Sequence, residues 1–257
     1  MTHGSLFSGI GGFDIAAEMA GIANVFSCEI DEFCNKILEK NFKNVQRFRN
    51  IKEFDGTPFR GTVNIVSGGF PCQPFSVAGK RQGKDDDRDL WPEMFRVIKE
   101  IGPDWVVGEN VAGFVSMELE RSLSDLEGAG YTVQPFIIPA CAVGAPHKRD
   151  RVWIIAHTDG EYVQRSFQPV HREGAEPGNE LFAGLCGKWS RGENWLEVTT
   201  RLCRMDDGLP VRLDGFELTK AGHRAKRIKA LGNAIVPEVA YRIFSAIKEI
   251  EKFRQTI

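Results

Sequence analysis

Long apolar runs, paired cysteines and repeats are all missing from this sequence. No run of about 18 apolar residues occurs, so no membrane span is expected. The N-terminus lacks the basic-then-apolar pattern of a signal peptide. None of the six cysteines forms a C-x-x-C pair, so no metal site is expected, and reduced thiols in a cytoplasm fit best. The chain also has no internal repeat or low-complexity tract.

An excess of charge of one sign is missing as well. The formal net charge of −2 does not indicate a nucleic-acid partner, but it does not exclude one, because binding uses local patches. Between residues 188 and 229, ten Lys or Arg stand against six Asp or Glu, which an ordinary solvated surface explains equally well. With 257 residues and 42% hydrophobic content, the chain can bury the core of one large domain, with or without a small appendage.

Strand and helix patterns alternate through the first half of the chain. The apolar runs predict strands at 3–7, 24–28, 63–67, 105–108, 136–138 and 152–156. Helical periodicity predicts helices at 13–20, 31–41, 90–101, 118–127 and 237–252. This alternation is typical of an α/β fold, doubly wound, with helices on both faces of a mostly parallel sheet.

The composition and the hydrophobic periodicity of the sequence change at residue 157. From there to about residue 200 the chain is polar, Gly-rich and weakly periodic, which predicts a small irregular second lobe. A long surface excursion or a partly disordered insert is the alternative. We therefore expect a main domain over 1–156, the small lobe over 157–204, and a C-terminal segment over 205–257 that returns to the main domain.

The most informative segment is Gly68-Gly69-Phe70-Pro71-Cys72-Gln73-Pro74-Phe75-Ser76, which directly follows a predicted buried strand. Two glycines and two prolines indicate a rigid, irregular turn around Cys72. A thiol on a stiff loop at a strand end occupies the place where doubly wound proteins carry reactive groups. The alternative is that Cys72 is a small buried hydrophobe.

A glycine-rich turn, with Gly9, Gly11 and Gly12, joins the first strand to the first helix. Such a turn lets a ligand approach the backbone closely. It is not the dinucleotide pattern, because the third glycine of that pattern would fall at Asp14. Glu29 follows about 20 residues later, where an acid can bind ribose hydroxyls, or can simply be an exposed acid at a strand end.

Two further groups follow buried strands. Glu109 comes directly after the strand at 105–108, where burial should raise its pKa and favour a general acid, although a capping or salt-bridged Glu is the alternative. The basic segment 146–152 leads into another strand, and strand alternation would put Arg149 and Arg151 on one face. A solvated charged surface is the ordinary reading of such a run.

These motifs together resemble the C5-cytosine DNA methyltransferases. The segment around Pro71-Cys72-Gln73 resembles the nucleophile loop of that family, and Glu109-Asn110-Val111 resembles its catalytic acid motif. Similar matches occur at 146–152, 204–210 and 229–237, in the order that the family has them. The resemblance implies the S-adenosylmethionine-dependent methyltransferase fold, with a target-recognition lobe that is short here.

The resemblance also implies a role for individual residues. The catalytic residues would be Cys72 as nucleophile, Glu109 at cytosine N3 and Arg151 at the base. Residues that would bind S-adenosyl-L-methionine, and its product S-adenosyl-L-homocysteine, are Phe7, Gly9, Ile10, Gly11, Gly12, Glu29, Ile30, Asn50, Ile51, Pro71, Leu90 and Asn233. Residues that would contact DNA are Ser76, Lys80, Arg81, Arg88, Arg149, Arg191 and Arg201. Asn50 stands where the family usually has Asp, so we expect somewhat weaker cofactor binding.

The expected function is therefore cytosine-5 methylation of double-stranded DNA by a cytoplasmic, bacterial or phage-encoded monomer. A restriction endonuclease acting on the same site is a candidate partner. The segment 77–88, with Lys80, Arg81 and Arg88, would form a lid over the DNA backbone. The alternatives are a tRNA cytosine-5 methyltransferase of the same family and a catalytically silent DNA-binding relative. A nicotinamide oxidoreductase is disfavoured, because the third glycine is missing and it has no use for the Cys72 loop.

Overall fold

The computed structural model describes residues 1–71, 89–116, 118–158, 226, 229–254 and 256. The chain divides into two compact units, one of Met1–Pro169 with Ala234–Ile257 and one of Val170–Asn233. The predicted boundary at residue 204 and the predicted lid lie outside the described residues. So do the predicted site residues Cys72, Ser76, Lys80, Arg81, Arg88, Arg191 and Arg201.

A seven-stranded sheet forms the centre of the first unit. Its strands are β1 (Thr2–Leu6), β2 (Ala23–Cys28), β3 (Gln46–Phe48), β4 (Ile65–Gly68), β5 (Trp105–Val111), β6 (Thr132–Pro139) and β7 (Asp150–His157). They lie in the order β3-β2-β1-β4-β5-β7-β6. The first five are mutually parallel, and β7 runs antiparallel to both β5 and β6. The predicted mostly parallel α/β fold is confirmed.

The main helices that accompany these strands are α1 (Gly12–Met19), α2 (Glu32–Asn41), α3 (Trp91–Ile101), α4 (Leu119–Gly128) and α5 (Pro237–Arg254). Local sequence fixes their ends. The Asp31 carboxylate accepts a hydrogen bond from the Cys34 amide at the start of α2. Gly102 ends α3 in the left-handed conformation that glycine adopts without steric cost.

The helices cover both faces of the sheet, which makes the fold doubly wound. On one face, α1 and α5 bury apolar side chains such as Phe13 and Phe244 in a cluster with Trp105 and Trp153 of the sheet. On the other face, α3 contributes Met94 and its neighbours to a cluster with the side chains of β1, β4 and β5. Both faces of the central strands are therefore buried, which leaves the carboxyl ends of the parallel strands as the place where a ligand can approach the sheet.

Asp14 is an unusual residue on the sheet face that α1 and α5 cover, because its carboxyl is completely buried in the first turn of α1. Burial raises the pKa of Asp14 to about 7, and the nearby Ser5 hydroxyl offsets this only in part. Neither carboxyl oxygen makes a hydrogen bond of normal geometry with the described residues. The protonated acid is therefore the form that the folded chain tolerates, and ionisation costs stability.

The variant Asp14→Asn should consequently be more stable than the wild type at alkaline pH. Because the folded-state pKa of Asp14 lies above the unfolded one, the contribution of Asp14 to stability is complete below about pH 4 and is lost as pH rises through about 7. We expect a loss of about 2 kcal/mol or more in the free energy of unfolding. Urea unfolding between pH 4 and pH 8 checks this, with Glu120→Gln at an exposed position of α4 as control. Parallel stability curves for the wild type and Asp14→Asn would contradict it.

Candidate functional site

The turn between β1 and α1 packs tightly against side chains at the end of α2, and the approach of a ligand to its backbone stays a prediction. Gly11 has φ 89°, and a methyl group there would lie 2.5 Å from the Phe42 ring, so only glycine fits. Phe7 also lies in the left-handed region, with φ 52°. A bulky side chain rarely adopts that conformation, and when it does the strained residue is typically at a binding or catalytic site.

Glu29 connects this glycine turn to the end of β2. Its Oε2 accepts a hydrogen bond from the Gly9 amide at 2.7 Å, and its Oε1 accepts one from the Asp31 amide at 2.8 Å. Burial raises the pKa of Glu29, while the backbone amides act in the opposite direction. The neighbouring Ile30 side chain is 70% exposed, which leaves an apolar surface beside a carboxylate.

Asn50 and Ile51 follow β3 at the same edge of the sheet. The Glu29 amide donates to the Phe48 carbonyl oxygen at 3.0 Å, so the ends of β2 and β3 are directly joined. The Asn50 Oδ1 accepts from the Lys52 amide at 3.1 Å, and its Nδ2 donates to Glu53 at 2.7 Å. The glycine turn, Glu29 and Asn50 thus follow three adjacent parallel strands.

Pro71 and Leu90 lie at the end of β4. Phe70 is buried against Trp91, with the ring centres 5.0 Å apart, and this fixes the backbone just before Pro71. The Leu90 amide donates to the Pro71 carbonyl oxygen at 3.5 Å. The Asn110 side chain donates to the Phe70 carbonyl oxygen at 3.0 Å, which ties this backbone to the end of β5.

Glu109, which is buried, and Arg151, which is partly buried, form an ion pair between β5 and β7. The register pairs Val111 with Arg151, which puts Glu109 diagonally opposite Arg151 on the same face. The Arg151 Nε donates to Glu109 Oε1 at 2.9 Å. Burial raises the pKa of Glu109 to about 7, although the charges of Arg151 and Arg149 oppose the shift. This is the direction expected from the sequence.

The second oxygen of Glu109 faces the backbone that leads to Pro71. A methyl group on Gly69 would lie 3.2 Å from Glu109 Oε2. A carboxyl with a pKa near 7 exists as a mixture of acid and carboxylate at neutral pH, so it can donate a proton or accept one. The pair is therefore an acid–base group next to the segment that enters the Cys72 loop.

Comparison with known proteins decides the family. Residues 1–183 match the model of the C-5 cytosine-specific DNA methylases. The chain belongs to this family. It is 38% identical over 158 residues to the Type II methyltransferase M.Eco47II of Escherichia coli, covering 59% of this chain and 38% of that protein. It is 30% identical over 234 residues to M.NgoFVII of Neisseria gonorrhoeae, covering 88% of this chain and 58% of that protein.

The fold of the chain is also seen in a solved methyltransferase structure. The S. pombe Dnmt2 methyltransferase superimposes with a TM-score of 0.66, covering 97% of this chain and 99% of that one, at 19% sequence identity. At that identity the likeness shows the fold alone. This chain, by contrast, spans less than two thirds of the length of the two Type II methyltransferases that it matches.

Arg149 is placed differently from what strand alternation predicts. Strand β7 begins at Asp150, so Arg149 precedes it, with a left-handed backbone of φ 39°. Its guanidinium donates to the Ala234 carbonyl oxygen at 2.7 Å, and burial and the Arg151 charge lower the pKa of Arg149. Arg149 therefore joins the segment before β7 to the segment before α5. Its contact with DNA stays a prediction.

The last methylase motif lies around Asn233, the final residue of a helical stretch at 229–233. Residues 234–236 lead from it into α5, and Ile235 packs so closely on Gly12 that a methyl group there would come within 2.6 Å. The contact of Asn233 with the methionine part of a cofactor stays a prediction. Among the described residues, no group of His, Cys, Asp and Glu could hold a metal ion, and no helix is long and apolar enough to span a membrane.

Sequence reasoning did not single out Arg96 on α3. It contacts the backbone of the segment that follows Asn50. In the sequence, the spacing of Glu93, Arg96 and Glu100 is the ordinary signature of a charged helix surface. A contact to backbone carbonyls more than 40 residues away leaves no sequence signal.

Proposed function

We propose that this chain is a DNA (cytosine-5-)-methyltransferase that acts on a flipped-out cytosine through a covalent bond between Cys72 and C6. One observation carries the proposal: Glu109, with a pKa of about 7, is held by Arg151 next to the backbone that enters the Cys72 loop. Membership of the C-5 cytosine-specific DNA methylase family supports the same reaction.

The residues at the ends of β1, β2 and β3 fit S-adenosylmethionine. Glu29 offers a carboxylate suited to ribose hydroxyls, Ile30 and Phe7 offer apolar surface for adenine, and the amide of Asn50 matches the donor and acceptor groups on the adenine edge. When bound, the cofactor supplies an electrophilic methyl group on a sulfonium. Asn233 would contact its methionine part, and Pro71 and Leu90 would border it.

In this mechanism, Cys72, Glu109 and Arg151 activate the cytosine. The thiolate of Cys72 adds to C6 of cytosine, forming an S–C6 bond and making C5 nucleophilic. Glu109 in its acid form donates a hydrogen bond or a proton to N3, where negative charge develops, and Arg151 holds the base while keeping Glu109 in place. After methyl transfer, loss of the C5 proton and elimination of the Cys72 thiolate restore the C5–C6 double bond.

This chemistry requires that the target cytosine be accessible outside the DNA duplex. C5 and C6 cannot be reached inside a base stack, so the cytosine must leave the duplex. Lys80, Arg81, Arg88 and Arg149 would neutralise phosphates around it. We propose double-stranded DNA as substrate, a cytoplasmic monomer as the active form, and a restriction endonuclease of the same specificity as partner, since relatives are named Type II methyltransferases.

Bisulfite sequencing of DNA from cells that express the protein tests the proposal. We expect protected cytosines at one recurring sequence, absent from cells that carry Cys72→Ser. Methylated tRNA with unmodified DNA would identify a tRNA methyltransferase instead. Specific DNA binding by the purified protein, without modification of either nucleic acid, would identify a catalytically silent relative.

Sequence choice should reside in the stretch 157–204, because every recognisable catalytic or cofactor motif lies outside it. The stretch supplies side chains able to pair with guanine or adenine edges, including Arg191 and Arg201. Replacing it with the corresponding stretch of a relative of known target should move methylation to the sites of that relative, as bisulfite sequencing would show. An active chimera that keeps the original sites would contradict this assignment.

A further inference from the structure

We propose that Arg96 is a positioning residue that sets the adenine side of the cofactor site by clamping the backbone next to Asn50. The inference rests on the proposed function. Arg96 does not itself contact the cofactor in this account; it acts through the segment that follows β3.

The contacts of Arg96 with that segment are specific. Its Nη2 donates to the Ile51 carbonyl oxygen at 2.7 Å, and its Nη1 donates to the Phe54 carbonyl oxygen at 3.0 Å. Ile51 and Phe54 are the first and last residues of a tight turn, in which the Phe54 amide donates to the Ile51 carbonyl oxygen at 3.3 Å. An overlapping turn joins the Glu53 amide to the Asn50 carbonyl oxygen at 3.1 Å. One guanidinium thus holds a turn that contains no regular secondary structure.

Two carboxylates of α3 fix the orientation of the guanidinium. Glu93 accepts from Arg96 Nε at 2.9 Å, and Glu100 accepts from Nη1 at 2.5 Å. Glu100 also accepts from the Gly56 amide at 2.8 Å, so α3 holds the same segment at a third backbone point. A helix that is itself packed in the core therefore determines where residues 51–56 lie.

Asn50 directly precedes the first of these anchored residues. Its side chain is further held by the Lys52 amide and by Glu53, both of which lie within the anchored turn. A shift of the turn must therefore move the Asn50 amide relative to Glu29, which is fixed separately through Gly9 and Asp31. A ligand that contacts both residues loses affinity when this distance changes.

The test compares Arg96→Met and Arg96→Lys with Arg60→Met as a matched control. Lysine keeps the charge but has no planar fork to bridge two carbonyls. Arg60 also donates to a backbone carbonyl, that of Lys99 at the end of α3, but away from Asn50. Binding of S-adenosylhomocysteine is measured by titration calorimetry without DNA, and KM and kcat are measured with DNA. Thermal unfolding shows which variants are folded. Glu100→Gln is a further variant that weakens the hold on the guanidinium of Arg96 without removing it.

We expect both Arg96 variants to bind S-adenosylhomocysteine about 10-fold more weakly, with the KM for S-adenosylmethionine raised in parallel and kcat at saturating cofactor nearly unchanged. Arg60→Met should bind like the wild type. A purely structural role would instead lower the unfolding temperature or kcat without this selective loss.

A double-mutant cycle shows whether Arg96 acts through Asn50. In an Asn50→Ala background, Arg96→Met should cost little further affinity, because the contact that it positions is already gone. Unchanged affinity in folded Arg96→Met, or losses that simply add, would overturn the inference while leaving the proposed function intact. No binding of S-adenosylhomocysteine by the wild type would instead overturn the proposed function, and the inference with it.

Discussion

The variant Cys72→Ser should have no measurable methyltransferase activity. A serine hydroxyl is almost entirely protonated at neutral pH and is a far weaker nucleophile than a thiolate, so C6 of cytosine is not attacked and C5 stays unreactive. Binding of S-adenosylhomocysteine and of DNA should survive, because the substitution changes one atom. Transfer of a labelled methyl group to DNA measures the loss.

Cys141→Ser is the matched control for this experiment, since Cys141 is an exposed free thiol outside the site. It should keep full activity. Methylation by Cys72→Ser at a rate near that of the wild type would exclude Cys72 as the nucleophile. Equal loss in both variants would point to a general sensitivity to thiol replacement rather than to covalent catalysis.

The variant Glu109→Gln should slow the chemical step by about 100-fold or more, the usual scale for a lost general acid. Glutamine keeps the shape of the side chain and can still accept from Arg151, so the packing between β5 and β7 is preserved. What it loses is the proton that burial keeps on Glu109 up to about pH 7. Single-turnover methylation measures the step directly.

The pH dependence separates this role from a structural one. Because the acid form of Glu109 is the active form, the wild-type rate relative to that of Glu109→Gln should fall as pH rises through the pKa near 7, while ionisation of Cys72 affects both proteins alike. The Glu109→Gln variant itself lacks this decline, since an amide does not titrate in this range. Glu120→Gln, on an exposed position of α4, should behave like the wild type. Little loss in Glu109→Gln would assign Glu109 a structural role.

The sequence predicted where the longer strands of the sheet lie, because a buried apolar run is a local signal. It did not predict every strand end: Glu109, expected just after the strand at 105–108, lies inside β5 (Trp105–Val111). The predicted turn around Cys72 lies outside the described residues. Strand β3 was not predicted, since Gln46-Arg47-Phe48 is short and mostly polar and gains its place only by pairing with β2.

Contacts between distant segments could not be predicted from local patterns. The hydrogen bonds of Arg96 to Phe54 and Ile51 span 42 and 45 residues, and that of Arg149 to Ala234 spans 85. Asp14 is a similar case. A charged residue in the first turn of a helix normally faces water, and its burial here follows from the packing of α1 against the sheet and α5.

The most direct test of covalent catalysis uses DNA in which 5-fluorocytosine replaces the methylated cytosine. After methyl transfer, fluorine cannot leave C5 as a proton does, so elimination is blocked and the enzyme remains bonded to C6. With S-adenosylmethionine present, we predict a one-to-one protein–DNA adduct whose proteolytic fragment carries the base on Cys72. Methylation of ordinary DNA by a protein that forms no such adduct, or an adduct on any other residue, would contradict the mechanism.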